Sequence, residues 1–430
     1  MSPSTGAERG GERPLAAFST LAASPTLSLG PATTVVARGA DVASYDLAGR
    51  PYALVRGDLT WRRSLNGALL LKGLRDGRRV RERHPPEAGA AAFDAARRDV
   101  AHLVEALASS DELAPATRAE AERRLRRIVA MDGPALARDA AAFDAIYRPI
   151  GILPPDQYLA LVLQLTEGCS WNQCTFCELY RATPFHAKSV AELDEHIDQL
   201  RAFFGESIAL RRSVFLGDAN ALCLSHERLL PLIERVAREF PVRPAGLQRA
   251  ERESWRGAHP TGTSGLFAFV DAWTGQRKGT AEYAAYARLG LRRVYVGLES
   301  GDAALLEWLG KPGGPDDALG LVEALHGAGV AVGVIVLIGA GGEAFYAAHA
   351  ERTAQTLARM HLVGRDLLYF SELVEHPTGA YAARAARDVI TPLVPERCAE
   401  QRAAILSACR AADPSFAPRV SNYDIREFIY

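Results

Sequence analysis

From residue 157 onward the chain repeats one pattern: a short apolar run, a polar turn, then an amphipathic stretch of helical length. Strands are expected near 159–165, 213–216, 266–270, 293–297, 330–338 and 367–373. Helices are expected near 189–204, 226–239, 280–289, 315–328 and 343–360. Ser189-Val-Ala-Glu192 has the form of a capping box opening the first of these helices. Successive βα units require a parallel sheet, because parallel neighbours need a crossover and the crossover helix covers a face. Six units fit an incomplete barrel as well as a doubly wound sheet. In both, functional groups belong at the C-terminal ends of the strands.

The rest of the chain divides around this core. Residues 1–34 are rich in Ser, Ala, Gly and Pro and read as a disordered tail. Residues 35–150 form an N-terminal extension, β-rich to about 83 and helical over 89–145. The core spans 155–385, and 386–430 reads as a short helical segment. The formal net charge of −1 gives no electrostatic case for a nucleic-acid or acidic-membrane partner. No apolar run reaches the roughly 18–20 residues of a membrane span. The tail lacks a basic start followed by an apolar stretch, so no signal peptide is expected. Six cysteines in 430 residues do not make a disulfide scaffold, which points to a reducing cytoplasm.

Three of those six cysteines, Cys169, Cys174 and Cys177, fall just past the first strand of the βα series. Clustered thiolates select iron–sulfur clusters, zinc or copper(I) over hard cations. Three thiolates on a four-iron cluster leave one iron free for another ligand. A structural zinc knot would need a fourth ligand, such as His186, and no second Cys-x-x-Cys or His-x-x-x-His lies nearby. Cys223, Cys398 and Cys409 are scattered and read as small buried hydrophobes.

The segment Gly168-Cys-Ser-Trp-Asn-Gln-Cys-Thr-Phe-Cys177, followed by five more βα units, resembles the radical S-adenosylmethionine superfamily. The spacing of four residues, then two, resembles its elongator-like and oxygen-independent coproporphyrinogen oxidase-like branch. The resemblance implies an α/β fold, a partial (β/α)6 TIM-type barrel, with an N-terminal α+β extension and a short helical C-terminal segment. It implies a [4Fe–4S] cluster held by Cys169, Cys174 and Cys177, and S-adenosylmethionine as second cofactor. Matching motifs recur at successive strand ends. Gly217 and Asp218, helped by Asn220, correspond to the part that receives the cofactor's amino group. Glu299 and Ser300 correspond to the ribose and methionine side. Gly339, Gly341 and Gly342 correspond to a close backbone approach, and Phe176 to an aromatic beside adenine. Taken alone, Asp218 is also an ordinary turn residue and Glu299 an ordinary helix cap.

The reaction the resemblance implies is reductive cleavage of S-adenosylmethionine to a 5′-deoxyadenosyl radical that takes hydrogen from substrate. A small-metabolite substrate and an electron donor such as flavodoxin or ferredoxin are the expected partners. Asp271, Trp273, Arg277, Tyr369, Glu372, Glu375 and His376 follow or lie on the strands that would face substrate. Two other readings stay open. One is modification of tRNA or a peptide, docked by the arginines at 75, 78, 79, 81 and 83. The other is a non-enzymatic zinc or iron–sulfur protein.

Overall fold

The computed structural model describes residues 25–108, 114–244 and 246–430. The chain divides into two compact units, Met1–Ala141 and Ala142–Phe428, with Ile429 counted to the first and Tyr430 to the second.

The first unit is built on an antiparallel meander of seven strands: β1 Thr26–Leu29, β2 Thr33–Arg38, β3 Asp41–Asp46, β4 Pro51–Arg56, β5 Leu59–Arg63, β6 Leu69–Arg75 and β7 Arg78–His84. Short turns connect them. Between β6 and β7, Asp76 and Gly77 both adopt positive φ (53° and 72°), the backbone a two-residue hairpin turn demands. Tyr45, Leu54, Trp61 and Leu71 come from alternate positions and share one face. There they meet Phe93 and Val100 of helix Ala90–Ala108, and Leu125 and Ile128 of helix Pro115–Ala130. β1 lies within the stretch 1–34 expected to be a disordered tail; residues 1–24 of that stretch lie outside the described residues.

The second unit holds a seven-stranded parallel sheet. Its strands are β8 Ala160–Gln164, β11 Ser213–Gly217, β12 Leu266–Asp271, β13 Leu291–Glu299, β14 Ala331–Ile338, β15 Leu367–Glu372 and β16 Arg419–Asn422, neighbours in that order. Every residue of β8, β11 and β14 is buried, as strands covered on both faces must be. The two short strands β9 Thr166–Glu167 and β10 His186–Ala187 pair outside this sheet. The expected capping box is present: the Ser189 hydroxyl accepts the Glu192 N–H at 3.2 Å, and the Glu192 carboxylate accepts the Ser189 N–H at 2.7 Å.

The sheet is a partial barrel, with one strand more than the sequence suggests. β16 adds a seventh parallel strand inside the 386–430 segment expected to be helical, after the helix Pro395–Ala412. All four β16 residues are exposed, so it carries no apolar signal. Tyr430 packs in the core: its hydroxyl donates to the Ala160 carbonyl at 3.0 Å and accepts the Val162 N–H at 2.9 Å. Among the described residues, no helix is long and apolar enough to cross a membrane.

Candidate active site

The C-terminal ends of the parallel strands open onto one cavity of about 390 Å³. The loop that follows β8 forms part of its wall and carries Cys169, Cys174 and Cys177. The β9–β10 pair closes the neck of this loop. Gly168, at φ +68°, sits where the two sides of the neck cross, and a Cβ there would stand 2.5 Å from the Thr183 carbonyl. Only glycine fits that backbone without strain. Beyond it, the Asn172 N–H donates to Cys169 Sγ at 3.3 Å, and the Asn172 amide donates to the Tyr180 carbonyl at 3.0 Å. The far side is fastened to the turn after helix Ala303–Trp308. Trp171 Nε1 donates to the Gly310 carbonyl at 2.8 Å, and the Thr175 N–H donates to the Leu309 carbonyl at 2.8 Å.

All three thiols face the cavity and are partly buried. Burial pushes the Cys174 thiol up to about 12 and raises Cys177 as well; the Lys311 ammonium pulls both the other way. Burial thus favours the protonated form of Cys174 and Cys177. A metal centre deprotonates the thiols that ligate it, so binding here releases protons. Among the described residues, no three His, Cys, Asp or Glu side chains converge on a point where a single ion would sit. In a cubane cluster each thiolate binds a different iron, so three cluster thiols stand farther apart than the ligands of one tetrahedral zinc. Three soft donors on one fastened loop, set this way at a cavity wall, fit a cluster.

The other residues singled out in the sequence separate into two groups. Phe176, Asn220 and Glu299 line the cavity with the cysteines. Gly217 and Asp218 sit at the end of β11 just behind the wall. Burial pushes the Asp218 carboxyl up to about 8, against the Gly168 N–H and the Gln164 amide that stabilise its charge. Asn220 donates its amide to the Asp271 carboxylate and to Thr274 Oγ1 (2.9 Å), while its Oδ1 is buried with no partner. Glu299 adopts φ +59° at a register shift in β13, a strained backbone for a non-glycine residue. It places the carboxylate 3.0 Å from Lys311 Nζ.

Ser300, Gly339, Gly341 and Gly342 do not line the cavity. Ser300 is fully buried; its hydroxyl lies 2.7 Å from His349 Nδ1 and accepts the Asp302 N–H. The Gly339 N–H is taken by the Gln401 side chain and that of Gly341 by the Tyr381 hydroxyl. A Cβ on Gly342 would meet the Thr391 carbonyl at 2.1 Å. These glycines let the turn after β14 pack against the C-terminal segments.

Of the expected substrate contacts, Asp271, Glu372, Glu375 and His376 line the cavity. Trp273 packs edge-on against Trp171, with the Arg277 guanidinium 4.4 Å above its ring. Tyr369 is elsewhere: its hydroxyl donates to Asp156 at 2.8 Å in the core.

Sequence reasoning missed Lys311, whose side chain is 11% exposed at the cavity wall. Burial works against its charge, but Glu299 and Cys174 outweigh burial and hold its pKa above the ordinary lysine value. The available signal was rarity: the chain has lysine only at 72, 188, 278 and 311.

Cysteines on the first β-to-α loop, with further polar groups at successive strand ends, make this cavity of the α/β unit the candidate active site. Residues 163–345 match the family model described as the Radical SAM superfamily. The cofactors of that superfamily are a [4Fe–4S] cluster and S-adenosylmethionine. No curated protein matches the chain. Solved structures similar to it include three radical SAM proteins. The first is the methyltransferase TsrM from Kitasatospora setae, with cobalamin and a [4Fe–4S] cluster bound: 17% identity, TM-score 0.38, covering 56% of this chain and 44% of that one. The second is the archaeal Methanocaldococcus infernus Elp3 with an N-terminal deletion: 14% identity, TM-score 0.39, covering 54% of each chain. The third is coproporphyrinogen III oxidase (HemN) from Escherichia coli: 13% identity, TM-score 0.38, covering 63% of this chain and 54% of that one. The chain spans about half the length of the solved chains it matches.

Proposed function

We propose that this protein is a radical S-adenosylmethionine enzyme of the elongator-like and coproporphyrinogen oxidase-like branch, acting on a small metabolite in the cytoplasm. The observation that carries this reading is the joint opening of Cys169, Cys174, Cys177, Asn220, Glu299 and Lys311 onto one cavity at the sheet's C-terminal edge. When bound, the cluster and S-adenosylmethionine supply, after one-electron reduction, a 5′-deoxyadenosyl radical that takes a hydrogen atom from substrate.

The chain's own residues bind, orient and shield. The three cysteines hold the cluster. Asn220 offers an oxygen acceptor to an amino group at the end of β11, and Gly217 and Asp218 behind it shape that turn. Lys311 and Glu299 offer a cation and an anion side by side, suited to a carboxylate and a ribose hydroxyl. Phe176 supplies an apolar surface for the adenine, and Ser300 and the 339–342 turn hold the strand ends in place. Trp171, braced edge-on by Trp273, forms part of the wall that limits water access to a radical centre. An electron donor such as flavodoxin or ferredoxin completes the cycle.

The test is Cys174→Ala in protein reconstituted with iron and sulfide without oxygen. Loss of acid-labile sulfide and of 5′-deoxyadenosine formation is the expected result; retained cleavage overturns the assignment.

A macromolecular substrate is favoured by one observation, the edge strand β7 with exposed Arg78 and Arg79. Co-purified RNA released by salt would support that reading.

A further inference from the structure

β15 runs out into Ser371-Glu-Leu-Val-Glu-His376, and all six residues line the cavity. The cofactor reading uses none of them. Charge in the cavity is lopsided: Glu178, Asp271, Glu299, Glu372 and Glu375 face one lysine, Lys311, and one histidine, His376. Three of the carboxylates are engaged. Glu299 holds Lys311 at 3.0 Å, Asp271 accepts the Thr274 N–H at 2.7 Å, and Glu178 lies 3.7 Å from Arg181. The Glu372 and Glu375 carboxylates take part in no hydrogen bond or ion pair among the described residues. The Arg426 guanidinium, which feels the Glu372 charge, is already held by Asp424 at 2.7 Å.

The remaining wall is apolar, with Phe269, Ile335, Leu337, Leu373 and Tyr423. At the far end, Asn220 Oδ1 is a buried acceptor with no donor; the side chain's own N–H groups are spent on Asp271 and Thr274. In the reading above the cofactor's amino group meets this acceptor, which leaves the β15 carboxylates as the acceptors open to a substrate. A bare metal ion does not suit the acidic end, because among the described residues no three ligating side chains gather around one point.

We propose that the substrate is a small molecule with an apolar body and a cationic amino group, and that Glu372 and Glu375 receive that amino group at the mouth of the cavity. The assignment rests on the reading of this cavity as the radical enzyme's site. It places the charged end of the substrate on the β15 loop and the hydrogen-bearing carbon deeper, toward the cysteine loop.

The test uses reconstituted protein loaded with S-adenosylmethionine and three probes sharing one body: 3-phenylpropylamine, 3-phenylpropanol and 3-phenylpropanoate. Binding is read by titration calorimetry. An ion pair at exposed carboxylates is worth about a factor of 2 to 5. The amine should therefore bind severalfold tighter than the alcohol, with the carboxylate weakest. In Glu372→Gln/Glu375→Gln that preference should vanish, while the melting temperature stays at the wild-type value because both residues are exposed. Equal binding of amine and alcohol, an amine preference that survives the double substitution, or no amine binding at millimolar concentration overturns the proposal. Formation of 5′-deoxyadenosine is measured in the same wild-type preparation. Amine selectivity without deoxyadenosine would sink the radical reading and leave the amine site standing. Deoxyadenosine without amine selectivity would do the reverse.

Discussion

Lys311 Nζ lies 3.0 Å from Glu299 Oε1, and each side chain is only 11% exposed. The two arrive from different elements. A register shift near the end of β13 turns Glu299 into the cavity, and the turn after helix Ala303–Trp308 delivers Lys311. Removing one member of a buried pair strands the other charge, at a cost of about 3–5 kcal/mol. Lys311→Met should therefore lower the urea midpoint of the cluster-free protein strongly. Adding Glu299→Gln to that variant should restore a large part of the loss. A Lys311→Met variant as stable as wild type would contradict the pairing.

Acid should destabilise the second unit through two buried histidines. Burial pushes His196 and His349 from 6.5 down to about 4; at His196 the Lys188 charge adds to this. The folded state thus binds fewer protons than the unfolded state between those values. Each histidine's contribution is fully present above about 6.5 and is lost as pH falls toward 4, on the order of a few kcal/mol apiece. Urea unfolding from pH 7.5 to 4.5 reads this directly. His349→Gln should flatten the slope over that window; an unchanged slope would show that His349 is protonated in the folded protein.

Gly168→Ala should spare the sheet and spoil the cysteine loop. The substitution forces a Cβ to 2.5 Å from the Thr183 carbonyl at φ +68°. Strain of about 1–3 kcal/mol at the loop's neck must be relieved by opening the β9–β10 pair. Iron and sulfide content after reconstitution should drop severalfold, with far-ultraviolet circular dichroism unchanged. Full cluster content would show that the neck is not needed.

The three remaining cysteines should be dispensable for the cluster. Cys409 is buried, and Cys223 and Cys398 are partly buried; burial raises all three thiols. Alanine at each should leave iron and sulfide content at the wild-type level. A loss specific to Cys223→Ala would matter most, since its thiol is close enough to Cys169 to feel its charge.

The alternation of buried apolar strands with amphipathic helices made the parallel sheet legible in the sequence, because a strand covered on both faces has no other way to look. The Ser189–Glu192 box marked a helix start to the residue. β16 was not legible: its four exposed residues carry no apolar pattern, and only pairing with β15 makes them a strand. Helix Arg249–Ala258 buries no residue and escaped for the same reason. In the site, the cysteine spacing was local and readable. Lys311 was not, since its meaning comes from a carboxylate twelve residues earlier on another element. The Gly-Ala-Gly-Gly run after β14 was conspicuous in the sequence, and among the described residues its glycines meet Gln401, Tyr381 and Thr391.

The central claim is that Cys169, Cys174 and Cys177 hold a four-iron cluster with an open iron facing the cavity. Its most direct test is the electron paramagnetic resonance spectrum of the reduced, reconstituted protein with and without S-adenosylmethionine. The account predicts a [4Fe–4S]⁺ signal that changes on adding S-adenosylmethionine and is absent in Cys174→Ala. A well-folded, iron-loaded protein without that signal, or one zinc per chain and no acid-labile sulfide, would contradict it.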